Sequence, residues 1–119
     1  MHYPKIMDKA ESNLIMLIDW ENISYGRNQY VHLERIIQKA NTWGNLRHSI
    51  AFSGFNEKYA GLIGYLHHHG IEPRFTLTKQ FKDNKKYTIK NAADIHLSVE
   101  AMTIAHTNPA ISGFVLVSG

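Results

Sequence analysis

The side chain best placed to hold a divalent cation, Asp19, stands directly after a run of apolar residues. It follows Leu14–Ile18 and opens the sequence Asp-Trp-Glu-Asn. A carboxylate beside a buried strand is costly unless something pairs with it, and Asp oxygens are preferred ligands of hard divalent cations. Asp is also favoured as a cap of the turn that follows a strand. Position alone therefore leaves two interpretations of Asp19 open, a metal ligand and a turn cap.

Two further acids lie in a segment with helical periodicity. Asp94 falls near the start of that predicted helix, where the helix dipole stabilises a negative charge whether or not a metal is bound. Glu100 follows six residues later, which places the two acids about 120° apart around the helix and about 9 Å apart along it. They cannot easily ligate one ion together, but both can border one acidic cleft. The alternatives are a helix-start acid for Asp94 and a surface carboxylate for Glu100.

A cationic segment could receive the phosphates of a nucleic acid. Five lysines fall within twelve residues, opposed there only by Asp83, although the net charge of the whole chain is only +3. They are Lys79, Lys82, Lys85, Lys86 and Lys90. Cationic side chains gain free energy by releasing the counterions around nucleic acid; the alternative is a solvated loop. Arg27 is a further candidate for binding phosphate. Trp20 or Tyr87 could stack on an unpaired base, although such aromatic side chains more commonly pack inside a protein.

The composition argues against other kinds of site. The chain has no cysteine, which excludes disulfides, thiolate chemistry and cysteine-ligated zinc. The consecutive His67, His68 and His69 would point about 100° apart on a helix, and His96 is expected on the Ile95 side of its helix, away from the acids. The histidines therefore do not predict a zinc site. No apolar run reaches the roughly 18 residues that span a bilayer, and the N-terminus lacks the pattern of a secretion signal, so we expect a cytoplasmic location.

The elements that must position these residues alternate along the chain. Strands are predicted at Leu14–Ile18, at about Leu46–Phe52, around Phe75–Leu77 and at Phe114–Val117, and helices at about 33–40, 59–66 and 91–106. This alternation indicates an α/β fold in which a parallel sheet has helices on both sides, in one domain over residues 1–119. Functional groups gather beyond the carboxyl ends of parallel strands, which is where Asp19 is expected to lie.

The third predicted helix carries two apolar stripes on nearly opposite sides. One stripe is Leu97, Ala101 and Ile104, and the other is Ile95, Val99 and Met102. A helix that is apolar on two sides must be covered twice. One stripe can pack on the sheet, and the other requires a partner.

Three segments of the chain together carry a family resemblance. They are Leu17–Ile23, with an Asp-x-x-Asn motif; Lys90–Ala101, a lysine followed by two spaced acids; and Phe114–Gly119, a strand that leads into a third motif. As a set they resemble the NYN domain family, in particular its bacterial LabA-like branch within the PIN-like nuclease superfamily. The resemblance covers nearly the whole chain and implies a PIN-like (Rossmann-like) three-layer sandwich with a central parallel sheet.

The resemblance also implies an activity, that of a metal-dependent endoribonuclease which hydrolyses the phosphodiester bonds of single-stranded RNA with Mg²⁺ or Mn²⁺. Asp19 and Asp94 are then metal ligands, and Asn22 supports Asp19 by hydrogen bonding. Glu100 stands where many relatives have Asp, and it would complete the water shell of the ion or orient the attacking water. Arg27 and the lysines of residues 79–90 would receive the RNA backbone.

The chain departs from the family pattern at its end. The family continues Ser-Gly with Asp-Ser-Asp, a further helix and a fifth strand, whereas this sequence stops at Gly119. We therefore expect a shortened domain that lacks at least one metal ligand, which keeps a second function open: a catalytically incomplete NYN-fold module that binds RNA or a protein partner. The resemblance places the fourth strand centrally, so stopping there leaves an apolar edge. Together with the second apolar stripe, this edge predicts a homodimer.

A function from another class is a phosphoryl-accepting regulatory domain or a phosphohydrolase on a similar parallel sheet. Such proteins need a further acid beside the first strand, at a spacing that Asp19 and Glu21 do not clearly provide. The sequence also has no Gly-x-x-x-x-Gly-Lys loop or Gly-x-Gly-x-x-Gly turn, so it gives no support for a nucleotide cofactor.

Overall fold

The computed structural model of the protein describes residues 12–24, 32–54, 60–76 and 92–118. In chain order the elements are β1 (Asn13–Asp19), α1 (Trp20–Ser24), α2 (Leu33–Asn41), β2 (Asn45–Gly54), α3 (Ala60–His68), β3 (Glu72–Thr76), α4 (Ala92–Thr107) and β4 (Gly113–Val117). The strands form one sheet in the order β3-β2-β1-β4, and all three neighbouring pairs are parallel. The predicted α/β fold with a parallel central sheet is confirmed.

The apolar run of β1 is covered on both faces of the sheet. Met16 packs on one face, in a buried cluster that contains Leu33 of α2 and Leu66 of α3. Leu17 packs on the other face, in a cluster with Leu97 of α4. Successive side chains of a strand point to opposite faces, so an uninterrupted apolar run requires helices on both. The described residues therefore form three layers, as predicted.

Two elements differ from the sequence-based predictions. β3 begins at Glu72, ahead of the apolar residues Phe75 and Leu77 that mark it in the sequence; Leu77 lies outside the described residues. The polar start and Pro73 hide this strand, and proline is tolerated there because β3 is an edge strand. α1 is not predicted from the sequence, because its five residues are too few for helical periodicity to show.

α4 runs antiparallel to the strands. Near its start, Nδ1 of His96 lies 3.2 Å from Oγ1 of Thr76 at the end of β3. After its end, the N–H of Ser112 donates to the carbonyl of Asn13 at the start of β1, at 2.8 Å. The first turn of α4 is therefore at the carboxyl edge of the sheet, where β1 also ends.

The two apolar stripes of α4 have different environments. The Leu97 stripe faces the sheet, as predicted. The opposite stripe, here called the apolar ridge, is exposed: Ile95 by 63%, Val99 by 56% and Met102 by 73%. Within the described part of the chain, no helix is both long and apolar enough to cross a membrane.

Gly44, between α2 and β2, packs closely against Ser12 at the amino edge of the sheet. A methyl group there would lie 2.8 Å from the carbonyl oxygen of Ser12 and 2.9 Å from its Cβ. The same carbonyl accepts the N–H of Asn45 at 2.7 Å, so it cannot move without losing that bond. We expect Gly44→Ala to lower the free energy of unfolding, measured in urea, by about 1–3 kcal/mol.

Gly64 in α3 provides the matched control, because a methyl group added there meets no atom within 4 Å. Gly64→Ala is expected to raise the free energy of unfolding by up to about 1 kcal/mol, since alanine is the better helix former. A Gly44→Ala variant as stable as the parent protein would contradict the close packing of Gly44 on Ser12.

Candidate functional site

Asp19 is a buried carboxylate at the carboxyl end of β1, with 3% of its surface exposed. The side-chain amide of Asn22 donates to its Oδ2 at 2.5 Å, and the backbone N–H of Asn22 points to its Oδ1 at 3.5 Å. The backbone contact has the spacing of a helix cap, so Asp19 does cap α1. This role does not exclude metal binding, because each carboxylate oxygen has two acceptor lone pairs.

Glu21 connects α1, which follows β1, to the end of the neighbouring strand β2 by a hydrogen bond. Its Oε1 accepts the backbone N–H of Gly54, the last residue of β2, at 2.6 Å. No role is predicted for Glu21 from the sequence; the signal that points to it is its position in the short acidic segment after β1. The contact fixes α1 against the end of β2 and thereby the loop in which Asp19 and Asn22 lie.

The strand register places Asp19 on the α4 side of the sheet. Ile15 and Leu17 belong to the cluster under α4, and side-chain alternation puts Asp19 on the same face. Asp94 lies in the first turn of α4, which starts at the same edge of the sheet. The side chain of Asp94 is outside the described part of the structure. The backbone thus brings the two predicted metal ligands to one edge and one face.

Glu100 is held by an ion pair. Its Oε1 lies 2.6 Å from Nη1 of Arg74 on β3. Nη2 of Arg74 lies 3.1 Å from Oε2 of Glu72, and the same oxygen lies 3.1 Å from Nε2 of His48. These ion pairs between α4, β3 and β2 are here called the polar seam. Glu100 lies in this seam, about 9 Å along the helix from Asp94.

The charges of the seam stabilise one another. Burial alone would raise the pKa of Glu72, but its hydrogen bond with His48 and the charge of Arg74 hold that pKa below its ordinary value. Burial would likewise lower the pKa of Arg74, whereas the hydrogen bond to Glu100 and the charge of that carboxylate raise it above its ordinary value. All the ion-paired groups of the seam are at least partly exposed, so water weakens each pair.

His96 does not lie where the sequence analysis placed it. That prediction put it on the Ile95 side of the helix, away from the acids. The structure places it against the sheet, beside Thr76, with its ring edge-on to Phe52 at a centroid distance of 5.1 Å. The side of α4 that faces the sheet therefore includes His96 as well as Leu97 and its apolar neighbours. His96 can lie there because β3 provides a polar partner, Thr76, on that flank.

The remaining predicted residues divide into two groups. Trp20 is 6% exposed and belongs to a buried core cluster, so it packs inside the protein and does not offer a stacking surface. Arg27, Tyr87 and the lysines lie outside the described residues; the lysines are Lys79, Lys82, Lys85, Lys86 and Lys90. Among the side chains that the structure describes, no three His, Cys, Asp or Glu residues are grouped so that they could hold a metal ion.

A double-mutant cycle tests the ion pair that holds Glu100. We expect Arg74→Met and Glu100→Gln to lower the free energy of unfolding, and the double variant to lose less than the sum of the two, by about 0.5–1 kcal/mol. The control cycle combines Arg74→Met with Glu34→Gln, since Glu34 is an exposed carboxylate on α2, across the sheet from α4. Strict additivity in both cycles would contradict the pair.

Comparison with known proteins identifies the family. The family model described as NYN domain matches residues 13–119, from the first residue of β1 to the end of the chain. Searches of curated proteins and of solved structures gave no significant match. The family match includes every strand and helix described above, with Asp19 at the end of β1, Asn22 in α1 and Asp94 in the first turn of α4. The chain therefore belongs to the NYN domain family of PIN-like nucleases.

Proposed function

We propose that this chain is a metal-dependent ribonuclease domain that hydrolyses the phosphodiester bonds of RNA with Mg²⁺ or Mn²⁺. The observation that carries the proposal is the buried carboxylate of Asp19 at the carboxyl end of β1, oriented by Asn22 in a chain of the NYN family. Carboxylate oxygens are the donors that these hard cations prefer. The chemistry of this site therefore fits the proposed ion.

Each residue of the site has a proposed role. Asp19 and Asp94 would hold the ion, which would supply an activated water and neutralise charge on the phosphate. Asn22 fixes the direction of the Asp19 carboxylate through its amide, as residues behind metal ligands commonly do. Glu100 orients the attacking water through the carboxylate oxygen that is not bonded to Arg74.

RNA is the proposed partner of this site. Arg27 and the five lysines of residues 79–90 would bind its phosphates, because a run of cations gains from counterion release. Those lysines follow β3 in the sequence, and β3 ends with Thr76 at the same edge of the sheet as Asp19. We also propose that the chain belongs to the bacterial LabA-like branch of the family and that it is cytoplasmic. A second copy of the chain is the proposed partner of its exposed apolar surface.

A non-catalytic module is the second candidate function. One carboxylate of the predicted site, Glu100, is already paired with Arg74. A site with few ligands can bind an ion weakly without aligning water and phosphate for hydrolysis. The domain would then bind RNA without cutting it.

Metal titration distinguishes these functions. We expect Mn²⁺ to bind saturably in calorimetry and to support cleavage of an end-labelled single-stranded RNA. Asp19→Asn and Asp94→Asn should each weaken Mn²⁺ binding at least tenfold, about 1.4 kcal/mol, because each removes a charged ligand while keeping the side-chain shape. Circular dichroism of each variant reports whether the fold is kept.

Glu34→Gln is the matched control, since it removes an exposed carboxylate from α2; it should bind Mn²⁺ like the parent chain. Saturable binding without cleavage would favour the non-catalytic module. The metal site itself is wrong if Mn²⁺ does not bind, or if Glu34→Gln weakens binding as much as the two aspartate variants.

A further inference from the structure

A cleft opens at the amino edge of the sheet, between α2 and the turn that follows α3. Its volume is about 220 Å³. Pockets for drug-sized molecules have about 300–1,000 Å³, so this cleft suits a small ion or the head group of a small molecule. The lining residues come from α2, the start of β2 and the turn after α3; they are Ile37, Asn41, Leu46, Arg47, His48, Ser49, His69 and Gly70.

Ser49 lies at the floor of the cleft with an unpaired hydroxyl. It is 6% exposed and is in register with Met16 of β1, so its side chain lies on the sheet face that α2 and α3 cover. The hydroxyl makes no hydrogen bond with any described residue, and no described side-chain atom is both sealed from solvent and unpaired. The hydroxyl therefore opens into the cleft. A buried hydroxyl without a partner is costly, and a ligand in the cleft would supply the partner.

Arg47 is placed at the cleft by a β-bulge. Two consecutive residues of β1 pair with Leu46 and His48, so Arg47 between them is an extra residue of β2. A bulge changes the direction of the side chain that it carries. Nε of Arg47 donates to Oδ1 of Asn13 at 2.7 Å. This bond fixes the guanidinium and leaves its two Nη groups for a ligand.

His69 and Asn41 supply further donors from the two walls of the cleft. The His69 ring packs edge-on against Tyr65, with the ring centroids 4.9 Å apart. Asn41 is the last residue of α2, and its amide can donate two hydrogen bonds. Ile37 and Leu46 add apolar surface beside these groups. The cleft thus combines hydrogen-bond donors and a fixed cation with an apolar wall.

The charges around the cleft favour an anion. The residues that line it include no Asp or Glu. Glu72, at the start of β3, is paired with His48 and Arg74 in the polar seam. Glu34 is seven residues before Asn41 on α2, which places it about 10 Å away along the helix. The arginine of the cleft therefore has no carboxylate beside it among the described residues.

The helix ends at the cleft do not provide a cation site. α2 and α3 both end here, and the partial negative charge of a helix C-terminus favours cations. The last carbonyls are already engaged, however. That of Lys39 accepts the N–H of Thr42 at 3.1 Å and its hydroxyl at 2.6 Å, and that of His67 accepts the N–H of Gly70 at 3.0 Å. A ligand in the cleft therefore meets donors, and a phosphate group, whose oxygens point in several directions, matches donors that come from three elements.

We propose that this cleft binds phosphate, either free or as the phosphate group of a small molecule, at a site separate from that of Asp19. Arg47 and the hydroxyl of Ser49 bind the phosphate oxygens, and Asn41 and His69 donate from the sides. The body of a phosphorylated molecule lies on the apolar wall. The site is at the opposite edge of the sheet from the candidate metal site.

A phosphate titration followed by NMR tests the site in the whole chain, without metal ions. We expect inorganic phosphate to shift the backbone amide signals of Ser49 and Gly70 saturably at millimolar concentration. Ser49→Ala should weaken binding about threefold or more, because one hydrogen bond is lost. Arg47→Met should weaken it about tenfold or more, because a charge-assisted contact is lost.

A second ligand distinguishes the two sources of phosphate. Phenyl phosphate carries an apolar body next to the phosphate group. It should bind more tightly than inorganic phosphate where the site is built for a phosphorylated molecule, because the ring packs on Ile37 and Leu46. Equal affinities would assign the site to free phosphate. Either result supports phosphate binding in the cleft.

Each variant has a matched control. Arg35→Met removes an exposed cation of α2 that does not line the cleft, and Ser53→Ala removes a buried hydroxyl farther along β2. Both should bind phosphate like the parent chain, and circular dichroism checks the fold of all four variants. The shifts in the parent chain test the proposal even where a variant fails to fold.

Two results would overturn the proposal. One is a titration in which the signals of Ser49 and Gly70 do not move, or in which phosphate shifts only signals from other parts of the chain. The other is an equal loss of binding in Arg47→Met and Arg35→Met, which would show an unspecific effect of charge. The titration uses neither metal nor RNA, so its failure leaves the nuclease proposal unaffected.

Discussion

The organisation of the molecule depends on the burial of β1 on both faces. Met16, Leu17 and Ile18 are almost completely inaccessible to water, and a strand with apolar side chains on both faces must be covered from two sides. That requirement places α2 and α3 on one face and α4 on the other. It also puts Asp19, the first charged residue after the apolar run, at the boundary between the core and the carboxyl edge, where its carboxylate needs partners because it is buried.

The position of α4 results from two kinds of contact that act on different sides of the helix. Leu97 packs on the sheet through apolar contacts, while Glu100 and His96 bind Arg74 and Thr76 at the edge strand. The polar contacts hold the helix over β1, β2 and β3. The same contacts therefore decide which flank of α4 faces the edge strand and hold Glu100 beside Arg74.

At the carboxyl edge, one contact between near neighbours in the sequence and one between distant residues organise the candidate site. Asn22 orients Asp19, and Glu21 bonds to the end of β2, so the four-residue segment Asp-Trp-Glu-Asn is fixed by its own polar side chains and by the buried Trp20. A site built in this way is positioned before any ligand arrives. Such preorganisation would serve the proposed phosphodiester hydrolysis, because positioning and charge stabilisation supply most of the catalysis of that reaction.

The sequence by itself determined the alternation of strands and helices, the parallel sheet, and the position of Asp19 at its carboxyl edge. These follow from apolar periodicity and from the rule that connects parallel strands, and both act over short stretches of chain. The two apolar stripes of α4 were also predictable from the sequence, because helical spacing alone places them on opposite sides of the helix. Only the tertiary structure decided that Arg74 binds Glu100, that His96 faces the sheet, and that Glu21 bonds to Gly54. Those pairs join residues 26, 20 and 33 positions apart, and no local pattern reports which distant strand a side chain will meet.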